Sequence, residues 1–459
     1  MDFSASNQAL WNLMLQFGIM AGLMLFANVL RRKIPLFRKS LLPTAVLAGF
    51  IALFVRMSGA LPIDAGLMEM VTYHSIAIGF IALSLQIPDK KKKAESAGLI
   101  AARSGALIVS TYLLQGLLGL AVSVGMAYTI MPNLFKAAGI LLPMGYGQGP
   151  GQANNVGSTY EALGFAGGQS FGLSLAAAGF LCACTVGVIY INIMKRQGKI
   201  DPSVLEPAAR PVTVADFQSH NEIPISESVD RLSVQFSLVI IVYLGTYLVS
   251  RGITALLAAY LPGLSATLSS LVWGFNFIIG ALLAIICRNL FAFLTRTGLM
   301  TRQYPNNYLL SRIAGVAFDF MVLAGIAAID MRDLAGLWLP FALMAVLGGA
   351  VTLWYLAWIC KKLYPGYYYE GMLSMFGMLT GTISSGVLLL REIDPSFRTP
   401  AAVNLLTGSS FAILFGLPML VLIGLAPQSV AMLFTAIAIM VVYFALLLYF
   451  MLAPKLRKS

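Results

Sequence analysis

The sequence predicts an all-α polytopic membrane protein of about eleven transmembrane helices. It predicts two inverted-topology repeats of five spans, each with a re-entrant hairpin. Composition is the first reason. The chain has 459 residues, 59% of them hydrophobic and 10% charged, where soluble domains carry about 25% charged residues. Recurrent apolar runs of near spanning length are the second. The third is a pair of glycine-rich runs inside apolar sequence, one in each half. They are Met144-Gly145-Tyr146-Gly147-Gln148-Gly149-Pro150-Gly151-Gln152-Ala153-Asn154-Asn155 and Phe376-Gly377-Met378-Leu379-Thr380-Gly381-Thr382-Ile383-Ser384-Ser385-Gly386. Broken backbone at membrane depth is tolerated only where protein buries it or it lines a wet cavity. Paired interruptions in two halves point to a transporter's binding site.

In order, the spans fall near 9–30, 40–56, 67–87, 98–131 and 167–194, then 233–259, 268–287, 312–330, 335–359, 402–425 and 429–452. The hairpins fall at 134–163 and 366–392. The run 98–131 exceeds one crossing and is expected to tilt or kink. The first run, Ala9 to Leu30, has no small-residue cleavage site after it and reads as a span rather than a signal. Residues 1–194 form the first repeat, 195–232 a cytoplasmic linker rich in proline, 233–427 the second repeat, and 428–459 an extra span with a basic tail. With an odd number of crossings per half, the second repeat is upside down relative to the first. Gly79-Phe80-Ile81-Ala82-Leu83-Ser84 and Asp319-Phe320-Met321-Val322-Leu323-Ala324 echo each other in the third span of each half.

Charge sets the orientation. With the N-terminus outside and the C-terminus cytoplasmic, only Arg56, Lys136, Arg251 and Arg332 of the 30 basic residues fall outside. That bias follows the positive-inside rule and makes the net charge of +12 an orientation signal rather than a nucleic-acid one. The lipid bilayer is the expected partner, in the cytoplasmic membrane. Cys182, Cys184, Cys287 and Cys360 sit in or beside apolar segments and give neither a disulfide framework nor a metal spacing. No nucleophile elbow, phosphate loop or metal motif is present, so the chain is not expected to be an enzyme or to carry a cofactor.

The hairpins carry the chemistry. In the first, glycines at 145, 147, 149 and 151 let backbone approach a ligand closely. Pro150 favours a fresh helix start, and the helix N-terminus that follows suits a carboxylate. The expected substrate residues are Gly147, Gln148, Gly149, Gly151, Gln152 and Asn154 here, and Thr380, Gly381, Thr382, Ser384 and Ser385 in the second hairpin. Hard oxygen ligands and unwound carbonyls suit Na⁺. Asn155, Asp319, Ser84 and Gly377 are the expected ion ligands. Each has a plainer reading: helix packing for the glycines, bonds back to their own helix for Ser and Thr, and an ion pair with Arg312 or Arg103 for Asp319. Asp319 is the acid placed near mid-span, which makes it a functional hypothesis by default. Glu69 and His74 read as interface anchors, as do Glu161, Glu392 and Asp394. Arg391, at the foot of the second hairpin, could meet a second carboxylate.

Gly147-Gln148-Gly149-Pro150-Gly151, with Gly377 to Gly386 as its counterpart, resembles the signatures of the bacterial sodium/glutamate symporter family, which is related to citrate/sodium symporters. The resemblance covers about residues 10 to 425. It implies hairpin tips that meet at the midplane, Na⁺ as coupling ion, L-glutamate as substrate, a homodimer, and elevator-type motion of a hairpin-bearing body against a dimeric scaffold. The chain departs from the family plan in its extra span and in Asp319. The alternatives are an H⁺-coupled carrier or exchanger of another amino acid or dicarboxylate, and a channel lined by the hairpins.

Overall fold

The computed structural model describes residues 6–35, 37, 42–87, 95–199, 231–260, 269, 272–274, 276–300, 304–394 and 399–453. Among them no strand occurs and the helices are α1 (Gln8–Lys33), α2 (Thr44–Ser58), α3 (Ala65–Ser84), α4 (Glu95–Thr129), α5 (Pro150–Ala162), α6 (Gly168–Arg196), α7 (Arg231–Tyr260), α8 (Asn276–Arg296), α9 (Asn307–Ala328), α10 (Trp338–Leu363), α11 (Tyr368–Thr380), α12 (Ile383–Arg391), α13 (Ala401–Leu425) and α14 (Val430–Leu452). Ten of these are long and apolar enough to cross a membrane: α1, α3, α4, α6, α7, α8, α9, α10, α13 and α14. The chain is a multi-pass membrane protein.

The expected count of eleven becomes ten because α2 is short. Its 15 residues rise about 22 Å, against a hydrocarbon core of about 30 Å. Pro43 precedes it and Gly59 ends it in the left-handed conformation (φ 71°). The span expected at 268–287 is α8, which continues nine residues past the expected end, to Arg296; residues 269 and 272–274 ahead of it are also helical. The linker expected at 195–232 and the basic tail lie largely outside the described residues, at 200–230 and 454–459.

The chain divides into two compact units. The first is Met1–Met70, Lys93–Pro207 and Val322–Ser459; the second is Val71–Lys92 and Ala208–Met321. In the first, α4 is the central post. It packs against α10, α13, α14 and both pieces of the first hairpin. Its 35 residues make about 52 Å. Close approach rests on small residues, as membrane helix packing does without a hydrophobic drive between helices. Gly119 on α4 meets Gly139 backbone to backbone, and Gly105 meets Phe411 of α13. On α2, Gly49 packs under Ile326, and Arg56 donates to the Ile329 carbonyl.

In the second unit Ile81, Ala82, Leu85, Val239, Val242, Ala284, Leu310 and Ala314 form a core. Gly79 accepts the ring of Phe318 and Gly280 accepts Ile81. Helix ends are closed by side chains. Arg288 Nη1 donates to the carbonyls of Ser84 (3.3 Å) and Gln86 (3.1 Å), at the end of α3. Asn307 clasps residue 87, accepting from Ile87 N and donating to Ile87 O, both at 2.8 Å. Cations and donors belong there because the last helical carbonyls have no helical partner.

The Gly119–Gly139 contact gives a test. A Cβ at Gly119 would penetrate the backbone of Gly139, whereas one at Gly125 meets nothing within 4 Å. Gly119→Ala is expected to destabilise the protein by about 1–3 kcal/mol, seen as a lower apparent melting temperature in detergent. Gly125→Ala is expected to leave that temperature unchanged or raise it.

Candidate functional site

The first hairpin begins with a short 3-10 helix, Lys136–Ile140, and a π-helical turn, Pro143–Gln148. The chain then breaks at Gly149, which has φ 94° and ψ −177°, a region that is essentially glycine-only. Pro150 opens α5, with its fixed φ and missing N–H suited to the first helical position. Gly149 N donates to Gly145 O and Ala153 N to Gly149 O, both at 3.2 Å. Between them lies a first turn whose amides precede any helical carbonyl.

The second hairpin descends as α11 and breaks at Gly381 (φ −147°, ψ −106°) and the extended Thr382 (φ −140°, ψ 172°). It returns as α12. Its two arms close on each other through glycine, because a Cβ on Gly377 would meet the Gly386 Cα at 2.8 Å. Gly377 therefore packs arm against arm. The two breaks adjoin. A Cβ on Gly149 would lie 3.5 Å from Thr382 Cγ2 and 3.6 Å from Gly381 O. Both half-helices start at this crossing, so two sets of unpaired amides and two positive dipole ends converge.

Two residues of α5, Asn154 and Glu161, are tied to α6. Asn154 Oδ1 accepts from Gln169 Nε2 at 2.8 Å, and Glu161 Oε1 accepts from Gln169 N at 3.0 Å. Asn154 and Asn155 are buried. In the second hairpin the Thr380 hydroxyl donates to Phe376 O at 2.7 Å, back to its own helix. Ser385 does not do so. Its Oγ lies over the break, 2.9 Å from where a Gly381 Cβ would be. The side chain of Ser384 lies outside the described residues.

Buried polar atoms normally find partners. Gln152 is 2% exposed and Ser385 2%, yet Gln152 Oε1 and Ser385 Oγ have no hydrogen-bond partner among the described residues. Each is the third residue of its half-helix, counted after the caps Gly149 and Thr382. Gln115 Oε1 and Ser174 Oγ are in the same condition, on α4 and α6. The sequence reading missed Gln115 and Gln169. An amide in the middle of the apolar run Leu113-Leu114-Gln115-Gly116-Leu117 was the available signal for the first. Nothing local marks the second.

The expected ion ligands divide between the units. Asn155 and Gly377 belong to the first, Ser84 and Asp319 to the second. Ser84 ends α3 and is buried. Asp319 is on the exposed face of α9 that also carries Tyr308, Arg312 and Val316. It forms no ion pair with a described residue, and Arg312 lies over the Tyr308 ring at 5.0 Å instead. Among the described residues no three His, Cys, Asp or Glu come together as metal ligands. Amide, hydroxyl and main-chain oxygens are the donor set the crossing offers. No protein-family model matches the chain, and no curated protein matches it.

Room exists at Gly149 for a methyl group, so its requirement is conformational. Gly149→Ala is expected to cost about 1–3 kcal/mol of stability and to deform the crossing. Adding Thr382→Ser, which removes the nearest methyl, is expected to restore nothing in a thermal unfolding measurement. Recovery in the double variant would make the defect steric.

Proposed function

We propose that the protein is a secondary transporter that carries a small carboxylate together with Na⁺, with L-glutamate as the first candidate. The observation that carries this is the meeting of two helix breaks in one compact unit, with buried oxygens of Gln152 and Ser385 unpartnered beside it. Converging helix N-termini favour an anion. Released carbonyls and neutral side-chain oxygens favour a hard monovalent cation. One place thus offers complementary sites for both, and binding of each favours the other. Such linkage is reciprocal.

The motif resemblance to sodium/glutamate symporters supports the same reading and adds inverted repeats, a homodimer and an elevator-like motion as proposals. The charge distribution adds the N-terminus outside and the C-terminus cytoplasmic. Both hairpins belong to one unit, as a moving substrate-bearing body requires. The orientation needs α2 to cross despite its length. The face made of Ala45, Val46, Ala48, Gly49 and Ala52 is buried in protein, which lowers the demand for a full-length apolar span.

A second reading has its own observation. Asp319 lies within α9 and forms no ion pair with a described residue, and an ionisable residue inside a span is a functional candidate by default. The test is uptake of labelled L-glutamate into proteoliposomes. Concentrative uptake is expected with an inward Na⁺ gradient and not with K⁺ in its place. Uptake driven by a pH gradient and abolished in Asp319→Asn would replace Na⁺ by H⁺. Flux that neither saturates nor couples would overturn the carrier reading.

A further inference from the structure

Gln115 sits in the middle of α4, 1% exposed, in a run of leucines. Its amide nitrogen donates to Thr352 Oγ1 and to Leu379 O, both at 2.9 Å. Those two bonds use both of its hydrogens. They also fix which way the amide points. Leu379 O is a main-chain carbonyl in the last turn of α11, one residue before Thr380 and the break, where helical partners run out. A carbonyl only accepts, so the nitrogen must face it. Turning the amide over would set two oxygens against each other.

Oε1 consequently points away from α11, towards the π-helical turn of the first hairpin. A Cβ on Gly147 would lie 2.9 Å from it. No described residue donates to it. Gln152 Oε1 could exchange places with its own amide nitrogen and become a donor. Gln115 Oε1 has no such freedom, so it is an obligate acceptor, buried, beside a turn whose carbonyls have left regular helical bonding. A buried acceptor of this kind is costly unless a donor or a cation meets it.

We propose that Gln115 is a specificity-determining residue of the crossing and that its Oε1 holds a small cationic group there. The group is either Na⁺ or the ammonium of an amino-acid substrate, which share the need for a lone pair. This rests on the crossing being the transport site. The half-helix N-termini take the carboxylate, and Gln115 marks where positive charge lies. The ends of the site are thereby told apart by one amide whose direction is set by Leu379 and Thr352.

The test uses purified full-length protein and two variants. Gln115→Leu removes the acceptor together with both donor bonds. Gln115→Glu, in its protonated form, retains a donor for Leu379 O and an acceptor, and so guards against misfolding. The readouts are the NaCl concentration for half-maximal thermal stabilisation, with choline chloride as control, and the affinities for L-glutamate and for glutarate, which lacks the ammonium. If Oε1 holds Na⁺, Gln115→Leu raises the NaCl midpoint about tenfold or more and weakens both ligands alike. In that case Gln115→Glu gives a midpoint that falls as pH rises. If Oε1 holds the ammonium, the NaCl midpoint stays put and L-glutamate weakens about tenfold while glutarate does not. Variants that fold and keep both the NaCl midpoint and the glutamate-to-glutarate ratio overturn the assignment. A wild type that responds to neither NaCl nor either ligand overturns the transport reading, and the assignment with it.

Discussion

A peptide group in the membrane interior has to find its partner inside the protein, and the two helix breaks are where this chain cannot supply one locally. Much of the first unit is arranged around that demand. Gln115 reaches from α4 to the Leu379 carbonyl. Thr380 returns its hydroxyl to Phe376 O. Gly179 of α6 lets the Thr380 carbonyl approach its backbone, and Gly145 sits against the backbone of Ala176. The long helices α4 and α6 are unbroken, and they hold the short ones. Among the described residues of this unit, Gln115 Oε1, Gln152 Oε1, Ser174 Oγ and Ser385 Oγ are left without a partner.

The second unit pairs several of its polar groups internally, while Ser250 Oγ and Asn276 Oδ1 have no partner among the described residues. Tyr73 donates to Trp273 O at 2.8 Å, His74 Nδ1 meets Tyr243 Oη at 2.5 Å, and the Asn276 amide hydrogen-bonds both tyrosine hydroxyls. Gln235 bridges Tyr304 O and Asn306 N. Networks of this kind fix one packing because a half-made one is costly in a low-dielectric interior.

Much of this was readable from residues in order. Apolar length located most of the ten long helices to within a few residues, because a crossing needs about 20 apolar residues whatever it packs against. The exceptions are instructive. At α2, Pro43 and Gly59 cut the helix to 15 residues although apolar sequence continues. At α8 the helix runs on past the expected end to include Arg288, whose side chain finds the end of α3. A hydropathy window sees neither event, since one is local backbone geometry and the other a contact between segments 200 residues apart.

For the site, the sequence by itself determined where the two helices break. Gly149 has a backbone that other residues resist, and Pro150 cannot donate, so the interruption is written locally. It also determined that the first turn of each returning helix carries small and polar residues, Gly151 and Gln152 in one and Ser384 and Ser385 in the other. Only the tertiary structure decided that the breaks adjoin and which oxygens are left over. Thr380 and Ser385 are equivalent hydroxyls in a sequence, yet one bonds to its own helix and the other has no described partner. Gln115 is far from either hairpin along the chain and touches both. Whether a polar atom is satisfied depends on its neighbours in space, and a long-range contact leaves no mark on the local pattern that a sequence displays.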